Sequence, residues 1–288
     1  MISKLFPGTD VFSQSESILR CTSPVDKSQS AIALHLHWCA LDPAMQLEQL
    51  SIGATVPDIG LLADPGRPEK PELVDARLLP RRGIGSMAGR IALLHSLAHI
   101  EFNAINLALD AVWRFRDMPV DYVSDWLRVA SDEGKHFMLL FDRLHQLGSE
   151  YGAFSAHNGL WEMAMQTAHD VLVRMALVPR ILEARGLDVA PPMIEKLRHS
   201  GDDDSAAILQ RIYTDEITHV AVGNCWFRYI CEKRDLDGTA VFRDLLKGPN
   251  SAWLRSPYNI PARLEAGFTE AELELIQEME EEYRIAMG

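Results

Sequence analysis

The chain has 288 residues, 47% of them hydrophobic, and a formal net charge of −13 at neutral pH. That length supports one sizeable domain or two small ones, the acidic balance argues against a nucleic-acid-binding surface, and no apolar run is long enough to suggest a membrane span. The four cysteines (Cys21, Cys39, Cys225, Cys231) form no Cys-x-x-Cys pair, which fits free thiols in a reducing compartment. With no leader-like pattern at the start, the expected location is cytoplasmic.

Taken in order, residues 1–30 read as polar and irregular. The region around AIALHLHWCALDPAMQLEQL, from Ser28 to about Gln49, has helical periodicity broken by Pro43. His35 and His37 are two apart and face opposite sides of such a helix. Residues 51–85 are rich in proline and glycine and read as an extended arm wrapping the main domain. A first long helix is expected from Ser86, a plausible N-cap, to Arg116, and a second from Val120 to Leu147, ended by Gly148. The Gly148–Gly159 loop, with Tyr151, Phe154 and His157, is a candidate lid. A third helix is expected over Leu160–Arg185, stopping at Gly186, with a kink or bulge at Pro179, one turn before Glu183. Pro191-Pro192 then sets off a short helix over Met193–Ser200. The fourth long helix, Ser205–Lys233, follows an acidic run that suits a helix N-terminus. A short helix near Thr239–Leu246 and a segment at Gly248–Pro261 expected to pack across the bundle come next. The last helix, Thr269–Ala286, opens on a capping box, Thr269-Glu270-Ala271-Glu272. The expected architecture is all-α: an arm over 1–85, a four-helix bundle over 86–233, and a C-terminal helical extension over 234–288.

Two short stretches carry the chemistry: Asp132-Glu133-Gly134-Lys135-His136 and Asp215-Glu216-Ile217-Thr218-His219. Residues three apart on a helix lie about 60° apart, so Glu133 and His136 share one face, as do Glu216 and His219. A single Glu-x-x-His is usually a solvated pair. Two of them, each preceded by another helical glutamate, are a different matter. Glu101 lies 32 residues before Glu133, and Glu183 lies 33 before Glu216. Dinuclear sites in helix bundles are built this way, from two Glu-x-x-His helices and one Glu on each of two more. Burying carboxylates among Phe137, Leu139, Leu140, Val220 and Val222 is costly without a cationic partner. His95 and His99 are rival donors on the first helix, but His99 lies about 200° round from Glu101, and both cannot face one site. The small apolar stripe Leu97, Glu101, Ala104 and Ala108 favours Glu101.

Four carboxylates and two imidazoles suit two Fe ions, with Mn or a mixed Fe/Mn pair as alternatives. Metal-bound histidines usually donate their second N–H to a carboxylate or carbonyl. Asp132 and Asp215 are candidates for that role, each for the histidine of the opposite helix, and surface acids are an equal alternative. Tyr213, three residues before Glu216, is the candidate catalytic side chain. Phe102, Phe137, Trp161, Arg180 and Trp226 are further candidates to line a pocket, although aromatics at helical spacing are most often core.

The stretches GRIALLHSLAHIEFNAINLALD, DWLRVASDEGKHF, VPRILEARGLD and IYTDEITHVAVGNCWF resemble an uncharacterised bacterial family of ferritin-like proteins of unknown function. The likeness runs from PGRPEKPELV to PYNIPARLEAGF. More distantly, DEGKHF, the EAR of Glu183–Arg185 and DEITH are similar to motifs of the tRNA hydroxylase that acts on 2-methylthio-N6-isopentenyladenosine. The resemblance implies a ferritin-like four-helix bundle in which Glu101, Glu133, His136, Glu183, Glu216 and His219 hold two metals. It supports fold and site better than reaction.

Three functions compete. The first is an O2-dependent oxidase or hydroxylase acting on a small or prenyl-like organic substrate, served by an electron-transfer partner. The second is an iron-handling ferroxidase, against which the long arm and tail count. The third is a metal-binding protein without enzymatic activity. The acidic charge counts against a nucleic-acid partner, no membrane partner is expected, and a dimer is compatible with the sequence.

Overall fold

A computed structural model describes residues 10–52, 62–80 and 83–287; the expected arm's residues 53–61 and 81–82, and the first nine of the chain, lie outside them. The described residues are helical with no β-strand, and an isolated bridge between Leu73 and Ala156 is the extended pairing recorded. Among them no helix is long and apolar enough to cross a membrane. All four cysteines are free. The chain divides into two compact units, Met1–Met165 and Gln166–Gly288. The division falls between the two Glu-x-x-His motifs.

In the first unit, α1 (Val11–Leu19) packs on α4 (Met87–Arg114), and α2 (Pro24–Ala40) lies along α5 (Val120–Gln146), which pairs with α4. Helix α4 begins where expected: the Ser86 hydroxyl accepts from Gly89 N–H at 3.1 Å. Val123, Trp126, Leu127, Ala130, Phe137, Leu140 and Leu144 form the buried stripe of α5. Each large apolar side chain among them contributes about 1.5–3 kcal/mol. Trp38 Nε1–H donates to Ser124 Oγ at 2.8 Å, tying α2 to α5. The crossing is so close at Gly134 that a Cβ there would fall 2.9 Å from the Ser28 carbonyl oxygen. This is why glycine stands inside the first motif.

Helix α1 corrects the expectation of an irregular 1–30. Asp10 accepts from the Phe12 and Ser13 amides at 3.0 Å, and Val11, Phe12, Ile18 and Leu19 are buried. Nine residues are too few for periodicity to register; tertiary burial makes the helix. Helix α2 likewise starts at Pro24, with Ser23 as its cap. Helix α3 (Pro43–Ile52) begins at the expected break, on Pro43.

A buried lysine fastens this unit. Lys27 donates to Leu19 O at 3.0 Å, Gly66 O at 2.6 Å and Asn106 Oδ1 at 2.6 Å. Its ammonium lies 4.9 Å from the centre of the Phe102 ring. One side chain thus joins α1, the arm and α4. The arm is pinned again where Trp161 Nε1–H donates to Ala63 O at 2.7 Å, and where Val74 N–H donates to Ala156 O at 2.8 Å.

In the second unit the expected third helix is divided. Helix α6 (Gly159–Gln166), at the boundary, ends before a turn, and α7 (Val171–Leu177) starts afresh with Asp170 accepting from Leu172 N–H at 2.8 Å. A six-residue π segment, Val178–Glu183, follows; the bulge expected at Pro179 is present and reaches Glu183. Helix α8 (Ala184–His199) then runs through Gly186, Pro191 and Pro192, where a stop and a separate short helix were expected. Pro191 cannot bond the Leu187 carbonyl, and Asn259 Nδ2 donates to that oxygen at 3.0 Å instead. The helix survives its prolines because another segment supplies the missing donor. Helix α9 (Asp203–Lys233), capped by Asp202, packs along α7, the π segment and α8. Helices α10 (Gly238–Leu245), α11 (Ile260–Glu265) and α12 (Glu270–Met287) complete the unit. The Thr269–Glu272 capping box forms in both directions, at 3.0 and 3.2 Å.

Candidate metal centre

In the first unit α4 and α5 bring three expected ligands together. Donor atoms of Glu101, Glu133 and His136 lie within 4.8 Å of one another. His136 Nδ1 is 3.2 Å from Glu101 Oε2 and 3.4 Å from Glu133 Oε2, and the three side chains are at most 5% exposed. Burial, and then the Glu133 charge, push the Glu101 carboxyl well above its usual range, while His136 pulls the other way. Two carboxylates so close and so dry cannot both ionise cheaply. A divalent cation between them reverses that balance, and the O/N donor set is one that Fe or Mn accepts.

The second unit repeats the pair. His219 Nδ1 is 3.3 Å from Glu216 Oε1; His219 is buried and Glu216 is 13% exposed. Glu183 sits at the end of the π segment, at the start of α8. In both motifs Nδ1 is the nitrogen turned to the glutamate three residues earlier.

The other expected residues have definite places. Lys135 donates to Asp132 Oδ1 at 2.8 Å, and Arg211 Nε to Asp215 Oδ2 at 2.6 Å; each acid is partly exposed and pairs with a cation on its own helix. The Tyr213 hydroxyl accepts from Asn259 Nδ2 at 3.2 Å. Trp161 pins the arm, as described, and Trp226 packs edge-on against Tyr229. Arg180 is fully buried among phenylalanines.

The rival histidines serve the 148–159 loop. His95 Nε2 accepts from Gly152 N–H at 2.9 Å. His99 Nε2 lies 3.1 Å from both His157 O and Asn103 Nδ2, and its Nδ1 is paired with the Tyr151 hydroxyl at 2.9 Å. Burial lowers both imidazoles to about 4, so they are neutral. The Tyr151 ring packs 5.2 Å from Phe137 and 5.9 Å from Phe102, neighbours in sequence of His136 and Glu101. The space left among the arm, His99, Phe102, Asn103 and Tyr151 is about 10 Å³, room for about one water. The loop's aromatic residues and the two histidines of α4 are visible in the sequence, but their pairing with one another is not.

Comparison with known proteins places the chain. A relative from Haemophilus influenzae, named "Uncharacterized protein", is 43% identical over 281 residues, which cover 95% of this chain and 96% of that protein. No solved structure matches. The family described as "Protein of unknown function (DUF455)" matches residues 20–274, and the chain belongs to that family.

Proposed function

We propose that the chain is a ferritin-like protein in which Glu101, Glu133, His136, Glu183, Glu216 and His219 hold two first-row transition metals. In this reading the protein is an oxidase or hydroxylase that uses O2 on a small or prenyl-like organic substrate. The observation that carries it is the buried Glu101–Glu133–His136 cluster, whose donor atoms lie within 4.8 Å of one another. The Glu216–His219 pair repeats its geometry, Nδ1 to carboxylate, at 3.3 Å.

Held by these residues, a pair of reduced metals would provide the electrons for O2 reduction. The chain's own residues do the rest. The carboxylates balance cationic charge, and the imidazoles hold their ligating nitrogens in place. Asp132 and Asp215, the acids beside the two motifs, are the candidates to accept a histidine's second N–H and fix its tautomer. Phe102 and Phe137 keep water from the first cluster. Tyr213 is the candidate catalytic group by its place one turn before Glu216. Substrate enters from solvent, and electrons come from a separate donor protein.

The test is stoichiometric. Protein loaded with Fe(II) without oxygen and then exposed to it should oxidise about two ions per chain and stop, the count of a dinuclear site. Oxidation of tens of equivalents, with mineral formed, would move the reading to iron storage.

A further inference from the structure

The second half of the proposed centre rests on an irregular backbone, and something must fix its register. A π segment carries about one residue more per turn than an α-helix, so a slip within it swings every following side chain by about 100°. Glu183 is its last residue.

Two successive residues of the segment are locked to two successive residues of α9. Pro179 meets Gly223 so closely that a Cβ at 223 would fall 2.3 Å from Pro179 Cβ. Arg180 Nε donates to Asn224 Oδ1 at 2.7 Å, and Asn224 Nδ2 donates onward to Ala266 O at 2.8 Å. Arg180 also bonds Glu272 at the start of α12. Its guanidinium lies 4.1 Å from the centre of the Phe227 ring and 3.9 Å from that of Phe242. Gly223 is one turn after His219, and Arg180 is three residues before Glu183. The contacts therefore sit one turn from each ligand, on the two elements that carry them.

A buried ion pair is poor evidence of stability, because apolar residues often replace it at no cost. A fork that reaches two partners at once does set direction. We propose that Arg180, with Asn224, Glu272 and the Pro179–Gly223 contact, is a positioning residue that fixes the register of the π segment and so turns the Glu183 carboxylate toward the His219 face of α9. This deepens the dinuclear reading and rests on it.

Cobalt(II) alone is the probe, titrated into the purified full chain, with affinity, stoichiometry and visible absorption recorded. Wild-type protein should bind two ions. Arg180→Met should weaken one of them by on the order of tenfold, the lower end of the loss seen when an orienting partner of a ligand is removed, and should alter the absorption band. Ile194→Ala, a buried change on α8 away from the lock, serves as the control: it should lower the melting temperature and leave cobalt binding alone. Arg180→Lys, which cannot reach both partners in fork geometry, should fall between. Should Arg180→Met fail to fold, Glu272→Gln carries the same expectation in weaker form. Unchanged cobalt affinity and spectrum in a folded variant overturn the positioning role. Failure of wild-type protein to bind two ions overturns the dinuclear reading instead.

Discussion

The two proposed half-sites repeat one spacing on two kinds of backbone. In the first unit Glu101 and Glu133–His136 stand on unbroken α-helices of 28 and 27 residues. In the second, Glu183 ends a π segment and only Glu216–His219 lies on a regular helix. The fastenings differ as well. The first unit uses an ammonium, Lys27, bound to three oxygens of neutral groups. The second uses a guanidinium, Arg180, bound to a carboxylate and an amide. The same sequence spacing therefore does not demand the same helix. It demands that whatever backbone is present be held, and each unit holds it with a buried cation over phenylalanine rings.

Exchanging the central residues of the two motifs breaks the comparison most severely. Gly134→Ile puts a branched side chain where a Cβ already falls 2.9 Å from Ser28 O and 3.4 Å from Ile32 Cγ1. The loss should be at least about 3 kcal/mol, at the upper end of overpacking costs. Ile217→Gly, at a half-buried position, should cost less, about 1 kcal/mol of helix penalty together with about 1 kcal/mol for the half-buried side chain. Urea denaturation of both variants checks this, and equal losses would show that the α2–α5 crossing is not tight.

A smaller effect is expected at the acids beside the ligands. Asp215→Asn should weaken metal affinity by about 10–100-fold. If affinity and O2 reactivity hold, Asp215 serves only its ion pair with Arg211.

The buried cations separate the units by pH. Burial lowers Lys27 to about 7 from 10.5, with Cys21 opposing weakly. Between those values the unfolded chain keeps the proton that the folded chain has lost, so stability rises with pH across that window, by up to about 1.4 kcal/mol per unit. Below pH 7 both states are protonated and the cost of burying the charge is fully felt. Urea midpoints at pH 7 and 9 should therefore climb in wild-type protein and flatten in Lys27→Met. The same slope in both would remove Lys27 as the titrating group.

Much of this was legible in the sequence because it is local. Ser86, Gly148, Asp202 and the Thr269–Glu272 box mark helix ends through their own side chains or backbone freedom, and Pro179 announced the bulge that became a π segment. What escaped was decided across the chain. Helix α1 is too short to show a period and forms by burial on α4. Helix α8 runs through Pro191 and Pro192 because Asn259, 72 residues after Leu187, supplies the donor. The roles of Lys27 and Arg180 show only once their acceptors, up to 92 residues away, are known. At the site, residue types and i,i+3 spacing nominate six residues, of which Glu101, Glu133 and His136 meet in the first unit and Glu216 meets His219 in the second. The seating of Tyr151 by His95 and His99, and the glycine inside the first motif, needed the packing of the loop and of α2.

The most direct measurement is metal content. Full-length protein reconstituted with Fe(II) without oxygen, freed of excess and analysed for bound iron, should hold about two ions per chain. The double variant Glu133→Ala, Glu216→Ala, which removes one carboxylate from each unit, should hold none while keeping its helical circular dichroism. Two ions retained by a folded double variant would contradict the assignment of these residues as ligands.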